Sequence, residues 1–219
     1  MPTTSLQNIW KETWKLTYNR RLIIIGTVIM LSVVFTMPLF FGHIEKRQGT
    51  LINDPVLAAV PPYNVSVLIF TIIWGMALLI LYRALYKPSI YIIYCWALIP
   101  ITITRFITIS IVPLAPPAGL IPLTDPLTGI FYGQALITKD LFFSGHIATL
   151  TLIFLCLEKR NDKILAFLAT IVVACLLVIQ HIHYSIDILA SPGITYICYR
   201  LTRKFLDKEI SIASRFLRS

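Results

Sequence analysis

Residues 163–201 read KILAFLATIVVACLLVIQHIHYSIDILASPGITYICYRL. Two apolar runs meet at the polar stretch His181 to Asp187. Each is close to the roughly 20 residues that a helix rising about 1.5 Å per residue needs to cross a hydrocarbon core of about 30 Å. The pattern predicts two membrane-spanning helices joined by a tight connection. Working outward, four further apolar blocks of similar length appear, so the predicted spans cover 21–41, 64–86, 89–112, 141–157, 163–182 and 184–201.

Composition agrees. Hydrophobic residues make up 57% of the chain and charged ones 13%, about half the charged share of a soluble domain, which excludes a water-soluble globular protein. The first block is no cleavable signal peptide, because its apolar core is too long and no small-residue cleavage site follows before the polar residues His43 to Arg47. Ahead of it, Leu6, Ile9, Trp10, Trp14 and Leu16 share one helical face beside Lys11 and Lys15. This predicts an amphipathic interfacial helix in 1–20. The expected fold is thus an all-α integral membrane protein with about six transmembrane helices. Residues 21–206 are expected to form its six-helix transmembrane domain, with a basic cytoplasmic tail at 207–219.

If the N-terminus is cytoplasmic, fifteen of the nineteen Lys and Arg residues fall on the inner side, so the positive-inside rule places both termini in the cytoplasm. The net charge of +9 is then a topology signal and an anchor for anionic lipid, with nucleic acid excluded as a partner. Cys95, Cys156, Cys175 and Cys198 lie within or at the edges of spans, showing neither a disulfide framework nor a metal-ligand spacing. No metal and no cofactor are expected. The stretch Pro113 to Lys139 holds five prolines and three glycines yet stays mostly apolar, which predicts a loop packed against the outer leaflet.

Ionisable residues in a span are costly and by default functional. Arg105 with Thr108, Lys139 with Asp140, Ser144-Gly145-His146, and His181 to Asp187 all fall at the outer ends of the predicted spans. His183 and Asp187 stand at i and i+4, on one helical face. A carboxylate there can hold the imidazole Nδ1–H and leave Nε2 free to attack an electrophile, although a merely structural pair has the same spacing. Ser144-Gly145-His146 opens a helix, whose free N–H groups favour an anion; taken alone, Ser144 reads first as an N-cap. The remaining polar residues read as structure: Trp10, Trp14, Tyr63 and Tyr132 as interface anchors, His43 as solvated, Thr102 and Thr104 as bonded to their own helix.

The ordered set Arg105-x-x-Thr108, Asp140-x-x-x-Ser144-Gly145-His146 and His181-x-His183-Tyr184-Ser185-x-Asp187 resembles the sphingomyelin synthases within the lipid phosphate phosphatase (type 2 phosphatidic acid phosphatase) superfamily. Leu114 and Pro117 also fit. The resemblance covers roughly 100–200 and implies a metal-free phosphotransferase with its site on the extracytoplasmic side. His183 would attack the phosphodiester of a glycerophospholipid and carry the head group as phosphohistidine. Asp187 would orient His183, and His146 would act as acid and then base. Arg105, Ser144, Gly145 and Lys139 would hold the phosphate, supported by Asp140, His181 and Tyr184. The implied acceptor is a ceramide-like lipid or water, in a chain whose homo-oligomeric state is open.

There are departures from that pattern. Leu177 stands where the phosphatase branch has Arg, and the Lys-and-Arg-Pro motif of that branch is absent. Thr138-Lys139-Asp140 replaces the synthases' Cys-Gly-Asp. Ile182 stands where synthases have an acidic residue that bears on the head group, so the head group is not implied. A lipid phosphatase or phospholipase C-like hydrolase with the same triad is the alternative, followed by a non-enzymatic lipid transporter or scaffold.

Overall fold

The computed structural model describes residues 6–123 and 137–216, the last nine by backbone alone. The described chain is built of helices: α1 (Leu6–Lys15), α2 (Thr17–Ile44), α3 (Pro55–Ala58), α4 (Ser66–Tyr86), α5 (Pro88–Ile111), α6 (Gly145–Cys156), α7 (Arg160–Ile179) and α8 (Ser185–Phe216). Four of them, α2, α4, α5 and α7, are long and apolar enough to cross a membrane. The 32 residues of α8 make it longer than any of these, and it runs through most of the segment expected to be a separate tail. The Gly129 region of the proline-rich loop and Tyr132 lie outside the described residues.

The fourth predicted span is corrected. In place of one helix over 141–157, the chain is irregular from 137 to 144, and α6 has only 12 residues. At about 18 Å it is too short to cross a hydrocarbon core alone. Yet α6 is the centre of the molecule. It packs against α4, α5, α7 and α8, and Leu150, Leu152 and Ile153 are fully buried. Irregular backbone at such depth is tolerated only where protein groups take its hydrogen bonds. The outer helices turn the opposite kind of surface outward: Val28 and Phe35 on α2, Val67 and Leu78 on α4, and Phe167 and Leu168 on α7 are exposed. Such a belt suits a lipid solvent.

The connections gather at two ends. At one end Arg83 forms a bidentate pair with Asp162 at 2.6 and 3.0 Å, tying α4 to the first turn of α7. The geometry is the strong kind for an arginine and a carboxylate. Lys163 donates to the carbonyls of Phe154 and Leu157, both at 3.1 Å, and so closes the C-terminus of α6. The N-terminal α1 docks at this end, where Trp10 Nε1 donates to the Leu85 carbonyl at 2.9 Å. Trp10, expected to be an interface anchor, is thus a link between helices. At the other end lie the loops 45–65, 112–123 and 180–184, together with the histidines.

Candidate active site

The irregular strand into α6 shows what holds the site. Arg105, 5% exposed on α5, donates from Nε to the Phe143 carbonyl at 3.1 Å and from Nη2 to Asp140. Thr108, one turn on, donates to the Phe142 carbonyl at 2.9 Å. The Ser144 N–H donates to the Asp187 carbonyl at 3.2 Å, and Ser191 Oγ donates to the Ser144 carbonyl at 3.0 Å. Residues 142–144 thus hang between α5 and α8, and α6 begins where they let go.

Gly145 allows the cation to reach this start. A Cβ built there would stand 2.6 Å from Arg105 Cζ and 2.7 and 2.8 Å from its two terminal nitrogens, inside any real contact. The guanidinium therefore lies against the backbone at the start of α6, the end of a helix whose free N–H groups and positive dipole favour an anion. Ser144 occupies the N-cap position but makes no side-chain cap bond, and its buried Oγ has no partner among the described residues. The capping reading of Ser144 does not hold.

The His183 and Asp187 side chains are 1% and 0% exposed, with Nδ1 facing Oδ2 at 3.5 Å. That separation is close enough for an ion pair and longer than a hydrogen bond; contacts of this sort tighten once a reaction places charge on the ring. Asp187 Oδ2 is itself steadied by the Tyr184 N–H at 3.1 Å. The His146 ring stands edge-on to that of His183, 5.9 Å between centroids. Two imidazoles and a carboxylate thus come together beside a cation and a helix start.

Residues 179–185 also hold the loops over this end. His181, at a φ of 54°, sets Nδ1 2.8 Å from the Ala118 carbonyl and Nε2 2.9 Å from that of Val60. Tyr184 donates to the Ala115 carbonyl at 3.0 Å and accepts from the Ile52 N–H at 3.2 Å. Gln180, fully buried, donates to Ser66 Oγ at 2.7 Å and to the Ile121 carbonyl at 3.1 Å. Asp54 caps α3 and accepts from the Ser185 N–H at 2.7 Å, which fixes the start of α8. Burial alone would raise the Asp54 pKa, but hydrogen bonds from Ser185, Leu57 and Val56 outweigh it and hold the carboxyl below its ordinary value. A depressed carboxyl pKa stabilises the fold above the unfolded value, about 3.9, and the effect fades as pH falls through the lower folded one. This contact thus persists at neutral pH.

Lys139, expected to hold the phosphate, makes its bonds to a loop. Its ammonium donates to the carbonyls of Glu45 and Arg47, both at 2.6 Å, and is taken up in closing the loop after α2. Glu45 accepts from the backbone N–H groups of Thr138 and Lys139, each at 3.1 Å. Asp140 pairs with Arg105, whereas His181 and Tyr184 hold loops. Gln180, Asp54 and Ser191 were missed by the sequence reading. Asp54-Pro55 carried a signal, an N-cap followed by proline at the first helical position; Gln180 carried a weaker one, a polar residue ending an apolar run.

Residues 139–204 match the family described as PAP2 superfamily C-terminal. That stretch holds Asp140, Ser144 to His146 and His181 to Asp187, and leaves Arg105 outside it. A comparison with curated proteins finds none that matches.

Proposed function

We propose that this integral membrane protein is an enzyme that moves the phospho-head group of a glycerophospholipid onto a ceramide-like lipid acceptor by way of a phosphohistidine at His183. The observation that carries the reading is the buried His183–Asp187 pair set beside His146 at the Arg105-backed start of α6. The family match supports lipid phosphate chemistry. Asp187 takes the Nδ1 side, so Nε2 attacks phosphorus while the bond to the diacylglycerol oxygen breaks, and His146 gives its proton to that oxygen. His146, now neutral, takes the proton of the acceptor hydroxyl. The resulting alkoxide attacks phosphorus, the P–N bond breaks and His183 is restored. Arg105, the Ser144 hydroxyl and the α6 N–H groups hold the phosphate oxygens in a site with little water.

Charge favours a diester over a monoester. A phosphomonoester carries about −1.5 to −2 at neutral pH, a diester one negative charge. The described residues set Arg105 at the start of α6, but Asp140 offsets part of its charge, and Lys139 is bonded elsewhere. Purified protein is expected to release diacylglycerol from phosphatidylcholine or phosphatidylethanolamine faster than inorganic phosphate from phosphatidic acid, and to move the head group to ceramide when it is present. Thin-layer analysis of labelled lipids reads both. Phosphate release from phosphatidic acid with phosphodiesters untouched would overturn the reading.

The site is proposed to face the extracytoplasmic side, as the basic residues at the Arg83 end suggest. In a Cys175→Ser background, a cysteine at Lys46 should react with an impermeant maleimide added to intact cells, and one at Arg160 should not. Labelling at Arg160 alone would reverse the orientation.

A further inference from the structure

A cleft of about 300 Å³ opens between α6, α7 and α8. Its floor is Ile147, Thr151 and Phe154 of α6; Ala174 of α7 and Ile188 and Pro192 of α8 stand on its walls. Two of these residues follow the reacting groups directly, Ile147 after His146 and Ile188 after Asp187. The cleft therefore begins one residue past the site on both helices and runs away from it. From Ile147 to Phe154 it extends about 10 Å along α6, and on α7 it opens midway along a helix able to cross the membrane.

We infer that this cleft holds one acyl chain of the lipid whose phosphate sits at His183, an assignment that rests on the proposed function. Three observations commit it to that occupant. Its lining is almost wholly apolar, it lies at membrane depth where the available solute is a lipid chain, and Ile147 and Ile188 of its lining follow His146 and Asp187 in the chain, so a chain lying in it would have its head-group end on the side of the histidines. The volume lies at the lower end of small-ligand cavities, about 300–1,000 Å³, which fits one chain and leaves the second in the bilayer. Because the chain leaves one apolar medium for another, the cleft adds little affinity. Its effect is positional: it fixes the depth and bearing of the phosphorus relative to Nε2, where an error of about 1 Å can cost on the order of 100-fold.

The test fills the cleft from the wall opposite the histidines. Ala174→Phe should lower the ratio of long-chain to very-short-chain phosphatidylcholine turnover by about 10- to 100-fold. A fall in both rates by the same factor would overturn the assignment. A binding readout separates it from the chemistry. In His183→Ala protein, a phosphatidylcholine with a photoreactive group along one acyl chain should crosslink to α6, α7 and α8 residues of the cleft, saturably, and Ala174→Phe should remove that crosslink. Labelling spread evenly over the lipid-facing side of α2, unaffected by Ala174→Phe, would mean bulk lipid only and would overturn the cleft. Saturable cleft labelling with no turnover in the wild-type protein would instead sink the proposed function.

Discussion

Alanine in place of His183 is expected to lower phospholipid turnover by about 10⁴-fold or more, the scale on which enzymes lose an essential nucleophile or the partner that orients it. The Asp187 carboxylate faces His183 Nδ1, so the ring that it equips for attack is the one this variant removes. Asp187→Asn should leave more activity than His183→Ala. The ring stays in place and the Tyr184 N–H keeps an acceptor, while the anion that steadies the imidazolium is lost. His146→Ala should separate the half-reactions. With a phosphodiester whose leaving group is a weakly basic phenolate, departure needs no acid, so the first step runs and the second stalls for want of a base. An acid-labile phosphorus–nitrogen species should then build up on His183, visible as a phosphorus resonance in the denatured protein. A well-folded His183→Ala protein that retained a tenth of the wild-type rate would show that the nucleophile lies elsewhere.

The sequence disclosed the helices because apolar length is a strong signal. It disclosed the grouping of Arg105, Ser144 to His146 and His183 to Asp187 because ionisable residues in spans are rare and these recur at helix ends. It failed at α6 for a physical reason. Periodicity records burial, and residues 141–144 are as buried as a helix, with Leu141 at 2% and Phe143 and Ser144 at 0%. What breaks the helix there is the competition of Arg105, Thr108 and Ser191 for its backbone groups, each from a distant part of the chain. The bonds of Lys139 were hidden in the same way. A lysine beside a site reads as a phosphate ligand until Glu45, some ninety residues earlier, is found beneath it. The hydrogen bonds of Gln180 and His181 to loop carbonyls leave no periodic trace, because backbone acceptors are the same at every residue.

The second large effect is expected from one methyl group. Gly145→Ala places a Cβ 2.6 Å from Arg105 Cζ, a separation that forces one side to move. The first turn of α6 is held by the Ser144 bonds to α8 and by burial in the core. Arg105 is held at its tip by the Phe143 carbonyl and Asp140. A side-chain tip yields more readily than a buried helix, so the guanidinium should be pushed off the helix start while the fold survives. Alanine also favours helix over glycine by up to about 1 kcal/mol, which further protects α6. The expected result is a rate loss of about 10²–10³-fold, comparable with removing one preorganised donor from an oxyanion, with little change in melting temperature. Arg105→Ala should cost as much or more. If the methyl acts by displacing Arg105, the double variant Gly145→Ala/Arg105→Ala should be scarcely worse than Arg105→Ala alone, since both remove the same interaction. Losses that multiply would mean that Gly145 serves the site independently of Arg105, by letting the phosphate itself approach the backbone. A collapse in melting temperature would place the glycine's role in packing.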